Sequence, residues 1–457
     1  MADINQLLKM RSYFNSGATK PYGFRKAQLI KLRNAIKKYE GELHEALYTD
    51  LKKSPEECWV TETGFLLSEI NNTIKNLKQW MHRELVPTNL LNMPSKSFIL
   101  KEPLGVVLMI GPWNYPLQLL FTPMVGAIAA GNCAVLKASE FAPATGAIMK
   151  QIIEEIYEPQ YISITAEDGA TVIPAMMNHF TFDHVFYTGS TAVGKIIYAM
   201  AAERLVPVTL ELGGKSPCIV EADADIKVSA KRIAMAKFSN AGQMCVAPDY
   251  VLVHESKKEQ FIEGLKNAIQ KFFDGDALNS HEFGKIINEK QFDRLVSYLP
   301  QGNIVAGGKF DREKLFIEPT VIENVSLDAP IMKEEIFGPI LPVITFKGVS
   351  EVKDIIAANP DPLALYIFTS SSKKEKEWLN AIPFGGGCVN NTALHLTNHY
   401  LPFGGRGYSG SGNYHGKYSF DTFTHRKGIL RSPTWFDPAM KYPPFKGKLG
   451  LLKWFVK

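Results

Sequence analysis

The sequence predicts an α/β protein made of two doubly wound lobes and a small β extension, on two observations. At 457 residues the chain is longer than one hydrophobic core usually serves, so two or three domains are expected. Along the chain, short apolar runs that end in glycine-containing turns are followed by helical patterns, which is the order of a doubly wound sheet. Its 46% hydrophobic and 21% charged residues are ordinary for a globular protein.

Two amphipathic helices are predicted at the start of the chain. Apolar residues recur at spacings of three, four or seven from Phe24 to Leu51 and again from Leu66 to Met81, so each segment has one apolar face. Strand, turn and helix patterns then alternate as in a doubly wound sheet. The predicted elements are a strand at 105–110 leading into a turn at 111–114, a strand at 133–136, a strand at 184–188, a glycine-containing turn at 189–194 and a helix at 195–200.

A second α/β stretch is predicted from Glu211 to about Thr392. It contains a helical pattern at 261–273 and a strand-like run at 340–346. With the first stretch it forms two lobes, each of the size of a nucleotide-binding fold. Glycines at 385–387 and 404–412 mark loops near the end.

The charge of the chain is unevenly distributed. The net charge is +5, but residues 426–457 carry eight Lys or Arg against one acid, Asp437, so the remaining residues are slightly acidic. The bulk of the protein therefore lacks the basic character of a nucleic-acid binder. We expect no nucleic-acid partner.

The cysteines argue against a disulfide scaffold and against a metal site. They are odd in number, widely spaced and without a Cys-x-x-Cys or Cys/His cluster. The first ten residues lack a secretory signal pattern, and no run of eighteen apolar residues occurs, so we expect a reducing, cytoplasmic setting. The five cysteines are Cys58, Cys133, Cys218, Cys245 and Cys388.

Cys245 and Glu211 are the candidate catalytic pair. A reactive cysteine needs surroundings that favour its thiolate, and the small, polar residues at 240–243 offer backbone amides close to Cys245. Glu211, between Leu210 and Leu212, is expected to be partly buried with a pKa raised toward neutrality, which suits a general base. The alternatives are an inert core cysteine and an ordinary salt-bridging glutamate.

Six short strings follow one another along the chain. They are Pro112-Trp-Asn-Tyr-Pro116, Lys137-Ala-Ser-Glu140, Thr188-Gly-Ser-Thr-Ala-Val-Gly194, Glu211-Leu-Gly-Gly-Lys-Ser-Pro217, Asn240-Ala-Gly-Gln-Met-Cys245 and Glu334-Glu-Ile-Phe-Gly-Pro339. In this order they resemble aldehyde dehydrogenases. The end of the chain, from Leu401-Pro-Phe-Gly-Gly405 to Phe423, and Tyr442-Pro-Pro444 are similar to the class 3 and fatty-aldehyde branch of that family. The resemblance covers residues from about 20 to 445.

The resemblance implies NAD(P)-dependent oxidation of aldehydes to carboxylic acids. The Cys245 thiolate would attack the carbonyl carbon to form a thiohemiacetal, whose oxyanion can expel hydride and leave a thioester. Asn114 would donate a hydrogen bond to that oxyanion, unless its amide only stabilises a turn. Glu211 would activate the water that hydrolyses the thioester.

The glycine turn after the strand at 184–188 is the candidate cofactor site. Gly189, Ser190 and Gly194 lie between a strand and a helix, where backbone N–H groups can hold a pyrophosphate. In the family, residues at the positions of Lys137 and Glu140 hold the adenine ribose. A carboxylate there repels a 2′-phosphate, so NAD is favoured while NADP stays possible.

Further roles follow from the resemblance. Glu335 would hold the nicotinamide ribose, and Phe337 would pack near the ring or belong to the core. Met244 stands where the branch usually has threonine, and we hypothesise that it alters the aldehyde pocket. Ala138 replaces a usual proline without removing a catalytic group, whereas Arg406 has no explanation at this stage.

The substrates expected are medium-chain, long-chain or aromatic aldehydes, with terpenoid aldehydes as an alternative. An acyl-transferring enzyme of the coenzyme A type is the rival activity, and the presence of Glu211 disfavours it. A catalytically silent relative would be expected to lack Cys245, Glu211 or Asn114. The expected domains are a cofactor-binding domain at 1–82 and 103–210, a catalytic domain at 211–392, oligomerisation segments at 83–102 and 393–430, and a basic tail at 431–457.

The basic tail has two interpretations. Lysines alternate with aromatic residues such as Trp435 and Trp454, a mixture that suits peripheral contact with an anionic membrane. The preferred interpretation is that the tail lies across the partner subunit of a homodimer, with Pro443 and Pro444 keeping it extended.

Overall fold

The protein is described by a computed structural model over residues 4–455. Short 3-10 helices also occur, and a π-helical turn spans Trp59–Thr63. The helices are α1 Ile4–Asn15, α2 Tyr22–Lys38, α3 Glu40–Leu51, α4 Pro55–Cys58, α5 Gly64–Met81, α6 Pro116–Ala130, α7 Pro143–Ile156, α8 Gly169–His179, α9 Thr191–Ala202, α10 Ile226–Phe238, α11 Lys258–Phe272, α12 Glu289–Val296, α13 Pro330–Lys333, α14 Val349–Ala357, α15 Ser372–Ala381, α16 Lys417–Thr422 and α17 Leu449–Phe455.

The strands form two large sheets and a smaller antiparallel one, with a separate two-stranded pair, β11 with β12. This confirms the α/β class with a small β extension. The strands are β1 Glu84–Val86, β2 Lys96–Pro103, β3 Val106–Ile110, β4 Cys133–Lys137, β5 Ile162–Thr165, β6 His184–Thr188, β7 Val208–Glu211, β8 Pro217–Val220, β9 Tyr250–His254, β10 Asn303–Ala306, β11 Phe310–Asp311, β12 Phe316–Ile317, β13 Thr320–Glu323, β14 Ile340–Phe346, β15 Ala364–Phe368, β16 Gly386–Val389, β17 Gly410–Ser411 and β18 Thr424–Arg431.

The first sheet has the order β17-β7-β6-β3-β4-β5 and is parallel except for β17. From β3 the chain continues outward through β4 and β5, then returns to the other side of β3 with β6. The order therefore reverses between β3 and β6, and ligands of such sheets bind at the carboxyl ends of the strands beside this point. All five residues of β3, and all five of β6, are buried, as expected for a parallel sheet covered on both faces.

The second sheet has the order β10-β13-β14-β9-β8-β15-β16, with β10 antiparallel to the rest. The smaller sheet has the order β1-β2-β18, and β18 pairs along its whole length with β2. In residues 4–455, no helix is both long and apolar enough to cross a membrane.

The helices differ from the prediction in three ways. The apolar pattern from Phe24 to Leu51 belongs to two helices, α2 and α3, that meet at Tyr39. The stripe of buried residues runs through the junction, so its periodicity does not reveal the break. The helix α1 was not predicted, and α9 begins at Thr191, earlier than the apolar pattern indicates.

Candidate active site

A cleft of about 470 Å³ opens at the carboxyl edge of the first sheet. The segments that follow β3, β6 and β7 meet there with the Cys245 loop and with the segment before β14. Seven of the ten predicted site residues line this cleft. They are Asn114, Gly189, Ser190, Glu211, Cys245, Glu335 and Phe337.

The loop before Cys245 is a tight turn of left-handed residues. Asn240, Ala241 and Gly242 have φ values of +49°, +51° and +75°. A Cβ on Gly242 would lie 2.3 Å from the carbonyl oxygen of Gly338, so only glycine allows this close approach. The turn thereby brings Cys245 next to the segment that carries Phe337.

The surroundings of Cys245 differ from the expectation that they favour the thiolate. Burial raises the pKa of the Cys245 thiol, and the carboxyl groups of Glu335 and Glu211 raise it further. The backbone N–H groups of Cys245 and Val246 act in the opposite direction but do not outweigh burial. The thiol therefore needs a base to remove its proton.

Glu211 is the last residue of β7 and is buried. Neither of its carboxylate oxygens has a hydrogen-bond partner among residues 4–455. Burial raises the pKa of Glu211 well above its usual value, in the direction predicted from sequence. A carboxyl group of this kind, in the same cleft as Cys245, is a stronger base than an ordinary glutamate when it is ionised.

Asn114 is buried in the turn between β3 and α6. Its side-chain nitrogen donates to the carbonyl oxygen of Gln243 at 3.0 Å. An amide nitrogen carries two N–H groups, and Asn114 also lines the cleft with Cys245. The second N–H is thus available for an oxyanion that forms at the reacting carbon.

The turn after β6 presents polar groups to the cleft. The Ser190 hydroxyl accepts a hydrogen bond from the backbone N–H of Val193 and so caps the twelve-residue helix α9. Gly189 packs on the ring of Tyr187, where a Cβ would lie 2.3 Å from the phenolic oxygen. The hydroxyl of Thr188 is buried without a partner among the described residues and also faces this cleft.

Lys137, Glu140 and Gly194 lie outside the lining of the cleft. Lys137 ends β4, and its amino group donates to Glu140 at 2.7 Å. Although burial opposes it, the hydrogen bonds from Lys137 and from the Gly169 backbone lower the pKa of Glu140, which is therefore ionised. Gly194 lets α9 pack against β7, because a Cβ there would lie 2.7 Å from the Leu212 side chain.

Glu335 and Phe337 are held from behind by a buried ion pair. Lys215 pairs with Asp249, and Lys215 also donates to the carbonyl oxygen of Glu334 at 3.0 Å, so the pair anchors this segment. Burial raises the pKa of Glu335 to about 8, and the nearby Asp249 adds to the effect. Phe337 meets the Trp113 ring edge to face, with 5.3 Å between the ring centres.

A second, largely apolar cavity reaches Cys245 from another direction. Met244 lines it, as the hypothesis about the aldehyde pocket requires. Three of its lining residues, Val60, Met235 and Leu394, are also 70%, 48% and 46% exposed, so they form its rim at the surface. Cys245 therefore lies where a polar cleft and an apolar cavity meet.

Three residues have partners in the structure that the sequence does not signal. Lys53 and Glu62 form a fully buried ion pair with 2.9 Å between nitrogen and oxygen, although a lysine before Ser54 and Pro55 is typical of an exposed helix start. Arg406, unexplained from the sequence, lies with its Nε 2.9 Å from Asp361 Oδ1.

No group of three or more metal-ligating side chains occurs within the described part of the chain. The structure records the five cysteines as free thiols. The sequence favours a place in the core for Cys133, Cys218 and Cys388, and of these Cys133 and Cys218 are buried. Cys388 is half-buried, with its sulfur 3.6 Å from Nδ1 of His395.

Comparison with known sequences gives two informative relatives. The 4,4'-diaponeurosporen-aldehyde dehydrogenase of Staphylococcus aureus (strain NCTC 8325 / PS 47) is 47% identical over 449 residues, which is 98% of this chain and 97% of the relative. Aldehyde dehydrogenase family 3 member H1 of Arabidopsis thaliana is 42% identical over 458 residues, covering 99% of this chain and 94% of the relative.

The similar solved structures are also aldehyde dehydrogenases. A substrate-bound state of Staphylococcus aureus AldH superposes with a TM-score of 0.97 at 46% identity and covers 100% of both chains. An indole-3-acetaldehyde dehydrogenase in complex with NAD+ has a TM-score of 0.84 at 29% identity, covering 94% of this chain and 88% of that chain. The profile of the aldehyde dehydrogenase family matches residues 6–429. The chain belongs to the aldehyde dehydrogenase family and is similar to its class 3 members.

Proposed function

We propose that the protein oxidises apolar aldehydes to carboxylic acids through a covalent intermediate on Cys245, with a nicotinamide dinucleotide as hydride acceptor. The observation that carries this proposal is the position of Cys245 at the junction of the polar cleft and the apolar cavity. A thiol at that junction can meet an apolar aldehyde on one side and a polar cofactor on the other.

The first step is attack of the Cys245 sulfur on the aldehyde carbon. Because burial raises the pKa of the thiol, its proton must pass to a base, and the unpartnered carboxyl group of Glu211 in the same cleft is the candidate. The new oxyanion accepts hydrogen bonds from the free N–H of Asn114 and from the backbone N–H of Cys245.

Oxidation and release follow. The bound dinucleotide supplies the acceptor for the hydride that leaves the carbon, and a thioester remains on Cys245. Glu211 first releases the thiol proton to solvent and then takes a proton from water. The resulting hydroxide equivalent attacks the thioester carbon, and the bond to sulfur breaks. The carboxylic acid leaves, and the Cys245 thiolate is restored.

The residues of the cleft fit a dinucleotide. The amino end of α9, with Gly189 and Ser190, offers backbone N–H groups and a partial positive charge to a pyrophosphate. The buried Thr188 hydroxyl, unpartnered among the described residues, and the carboxyl group of Glu335 add polar groups that a ribose could use. Phe337 and Trp113 supply apolar surface beside them.

NAD is the proposed cofactor, with NADP as the alternative. The carboxylate of Glu140, ionised through its pairing with Lys137 at the end of β4, disfavours the added charge of a 2′-phosphate. The similar indole-3-acetaldehyde dehydrogenase forms a complex with NAD+, which supports the same choice.

The proposed substrates are medium-chain and long-chain aldehydes, including terpenoid and aromatic ones. The cavity that reaches Cys245 is lined mostly by apolar side chains such as Leu119 and Phe403, and its rim is apolar as well. The 4,4'-diaponeurosporen-aldehyde dehydrogenase is 47% identical to this chain, so we include the aldehyde in its name among the candidate substrates.

Acyl transfer to coenzyme A remains the rival activity. An acyl-transferring enzyme must keep water away from the thioester, whereas Glu211 places an unpartnered base in the cleft. Hydrolysis is therefore the favoured route of release.

The test is a kinetic assay with NAD or NADP and aldehydes from C2 to C18, read as absorbance of the reduced cofactor. We expect turnover that rises with chain length and is lost in Cys245→Ala. In Glu211→Gln we expect both the first turnover and the steady state to slow, the steady state by about 10²-fold, because Glu211 is the proposed base for the thiol and for the water. Turnover that survives in Cys245→Ala contradicts the mechanism, and rapid release only with coenzyme A favours the rival.

We propose further that the protein is a cytoplasmic homodimer in which the tail 431–457 lies on the partner subunit. Trp435 is 78% exposed on the single chain, and Phe436, Tyr442 and Phe445 are exposed as well. Such a row of aromatic side chains gains most from burial on another surface. Peripheral contact with a membrane is the alternative.

A further inference from the structure

A buried charged cluster lies behind the proposed active site, formed by Lys53, Glu57 and Glu62. Lys53 and Glu62 are fully buried, and Glu57 is half-buried. Glu62 lies in the π-helical turn Trp59–Thr63, a conformation often found at functional sites. A buried ion pair is weak evidence for a stabilising role, because removing two charges from water offsets their attraction. The partners of the cluster indicate another role.

The Lys53–Glu62 pair holds both ends of the segment from Asn114 to Gln118. The Lys53 amino group donates to the carbonyl oxygen of Asn114 at 2.9 Å and lies 3.8 Å from the centre of the Tyr115 ring. Glu62 accepts a hydrogen bond from the backbone N–H of Gln118, also at 2.9 Å. The turn that carries Asn114 is thereby fixed to one buried pair of charges.

Glu57 holds the loop that leads to Cys245. Its carboxylate accepts a hydrogen bond from the backbone N–H of Asn240 at 2.7 Å. The Asn240 side chain in turn donates to the carbonyl oxygen of Asn114 at 2.9 Å and to that of Gln243 at 3.2 Å. The backbone carbonyl of Asn114 thus accepts one hydrogen bond from Lys53 and one from Asn240. It thereby links the Asn114 turn to the loop that leads to Cys245.

We infer that Lys53 and Glu62 are positioning residues that aim the Asn114 amide at the oxyanion formed on the Cys245 adduct. The inference rests on the proposed function. Lys53 holds the backbone carbonyl oxygen of Asn114, and Gln243 accepts one of the two side-chain N–H groups of Asn114. Asn114 therefore has little freedom to turn, and its second side-chain N–H keeps a fixed direction. Donors fixed before the charge develops stabilise a transition state most strongly.

The test is a double-mutant cycle between the Lys53–Glu62 pair and Asn114. Its first variant removes both charges of the pair at once. Lys53→Met with Glu62→Gln removes both members of the fully buried pair and leaves only the half-buried Glu57 charged, so the fold is expected to persist. We expect kcat for hexanal with NAD to fall roughly tenfold to hundredfold, because a donor misplaced by about 1 Å loses much of its effect. The KM for NAD should change less than twofold, since neither Lys53 nor Glu62 lines the cofactor cleft.

The same pair of substitutions is then placed in an Asn114→Ala background. If the cluster acts through Asn114, the added loss of kcat there is less than twofold. A purely structural role lowers kcat by the same factor in both backgrounds, and that result overturns the inference. A folded double variant with wild-type kcat overturns it as well.

A second variant covers the case in which the double variant does not fold. Lys53→Arg keeps the charge opposite Glu62 but replaces the compact amino group that reaches the Asn114 carbonyl. We expect an unchanged melting temperature and a lower kcat, again with no added loss in Asn114→Ala. Equal losses in both backgrounds contradict the inference. Cys245→Ala is measured in parallel, because its retained activity would refute the proposed mechanism itself rather than the role of the cluster.

Discussion

At the residue scale, Glu211 combines two properties that usually exclude each other. It is buried at the end of a strand, and neither carboxylate oxygen has a partner in the described structure. A buried, unpaired carboxylate is destabilising when ionised, so the folded protein favours its protonated form and the pKa is raised. The contribution of Glu211 to stability is therefore complete below its unfolded pKa and is lost as the pH rises through its folded pKa.

The first prediction concerns stability and pH. Glu211→Gln removes the titrating group, so its melting temperature relative to the wild type should increase steadily from acid to alkaline pH. Scanning calorimetry from pH 5 to 9 measures this difference. The control is Glu203→Gln, an exposed change that should leave the difference constant. A constant difference for Glu211→Gln would contradict an unpaired carboxyl group.

The second prediction concerns Met244, which lines the apolar cavity together with Cys245. Met244→Thr removes apolar surface and volume there, so kcat/KM for long aldehydes should fall relative to short ones by roughly threefold to tenfold. A series of aldehydes from C4 to C16 measures the ratio. The KM for the cofactor serves as the control, because Met244 does not line the cofactor cleft. If the dependence of kcat/KM on aldehyde chain length is unchanged, Met244 does not contribute to substrate specificity.

At the scale of elements, three separate segments form the rim of the apolar cavity. Val60 comes from the π-helical turn, Met235 from α10, and Leu394 from the 3-10 helix Leu394–Thr397. No continuous stretch of sequence contains this rim. It forms only because the second sheet and the first helices come together around Cys245.

The third prediction concerns this rim. Val60→Ser and Leu394→Ser should lower kcat/KM for C14 to C18 aldehydes by roughly threefold to tenfold each, because the distal carbons lose apolar contact. Values for C2 to C4 aldehydes should stay within twofold, since short chains do not reach the rim. Leu205→Ser, at a residue that is 92% exposed and lies outside this cavity, is the matched control. Equal changes in kcat/KM for short and long aldehydes would show that the rim does not bind the distal carbons of the substrate.

The sequence predicted the elements with uneven success, for a physical reason. The strands at 184–188 and 340–346 agree with β6 and β14, because buried parallel strands are continuous apolar runs. The break at Tyr39 was missed because an apolar stripe can cross a change of helix axis without losing its period. The π-helical turn was missed as well, since its residues carry no special composition.

At the scale of the whole molecule, the tail at residues 431–457 bears on how subunits assemble. Residues 431–457 combine lysines with exposed aromatic side chains, and the strand β18 before them lies at the edge of its sheet. The proposed domain boundaries at 82, 102, 210, 392 and 430 stay predictions. The homodimer is the arrangement that we expect to cover the tail.

The fourth prediction concerns removal of 433–457. The shortened chain should sediment more slowly as the dimer weakens, while neither form should float with anionic vesicles. Analytical ultracentrifugation and liposome flotation measure the two outcomes. Trp435→Ser with Phe436→Ser in the full chain is the matched variant and should weaken the dimer in the same direction. Flotation of the full chain alone would favour the membrane interpretation.

The sequence by itself determined the family, the catalytic trio of the proposal and the class of fold. Cys245, Glu211 and Asn114 stand in short strings whose residue types the chemistry requires. Such local strings can be identified from the sequence without knowledge of the fold. Tertiary structure alone decided how these groups are tuned. Burial reversed the expectation for the Cys245 thiol. The tertiary fold also paired Lys53 with Glu62 behind Asn114 and the exposed Arg406 with Asp361. Desolvation and pairing depend on atoms that are distant along the chain, and a linear pattern of residues does not contain that information.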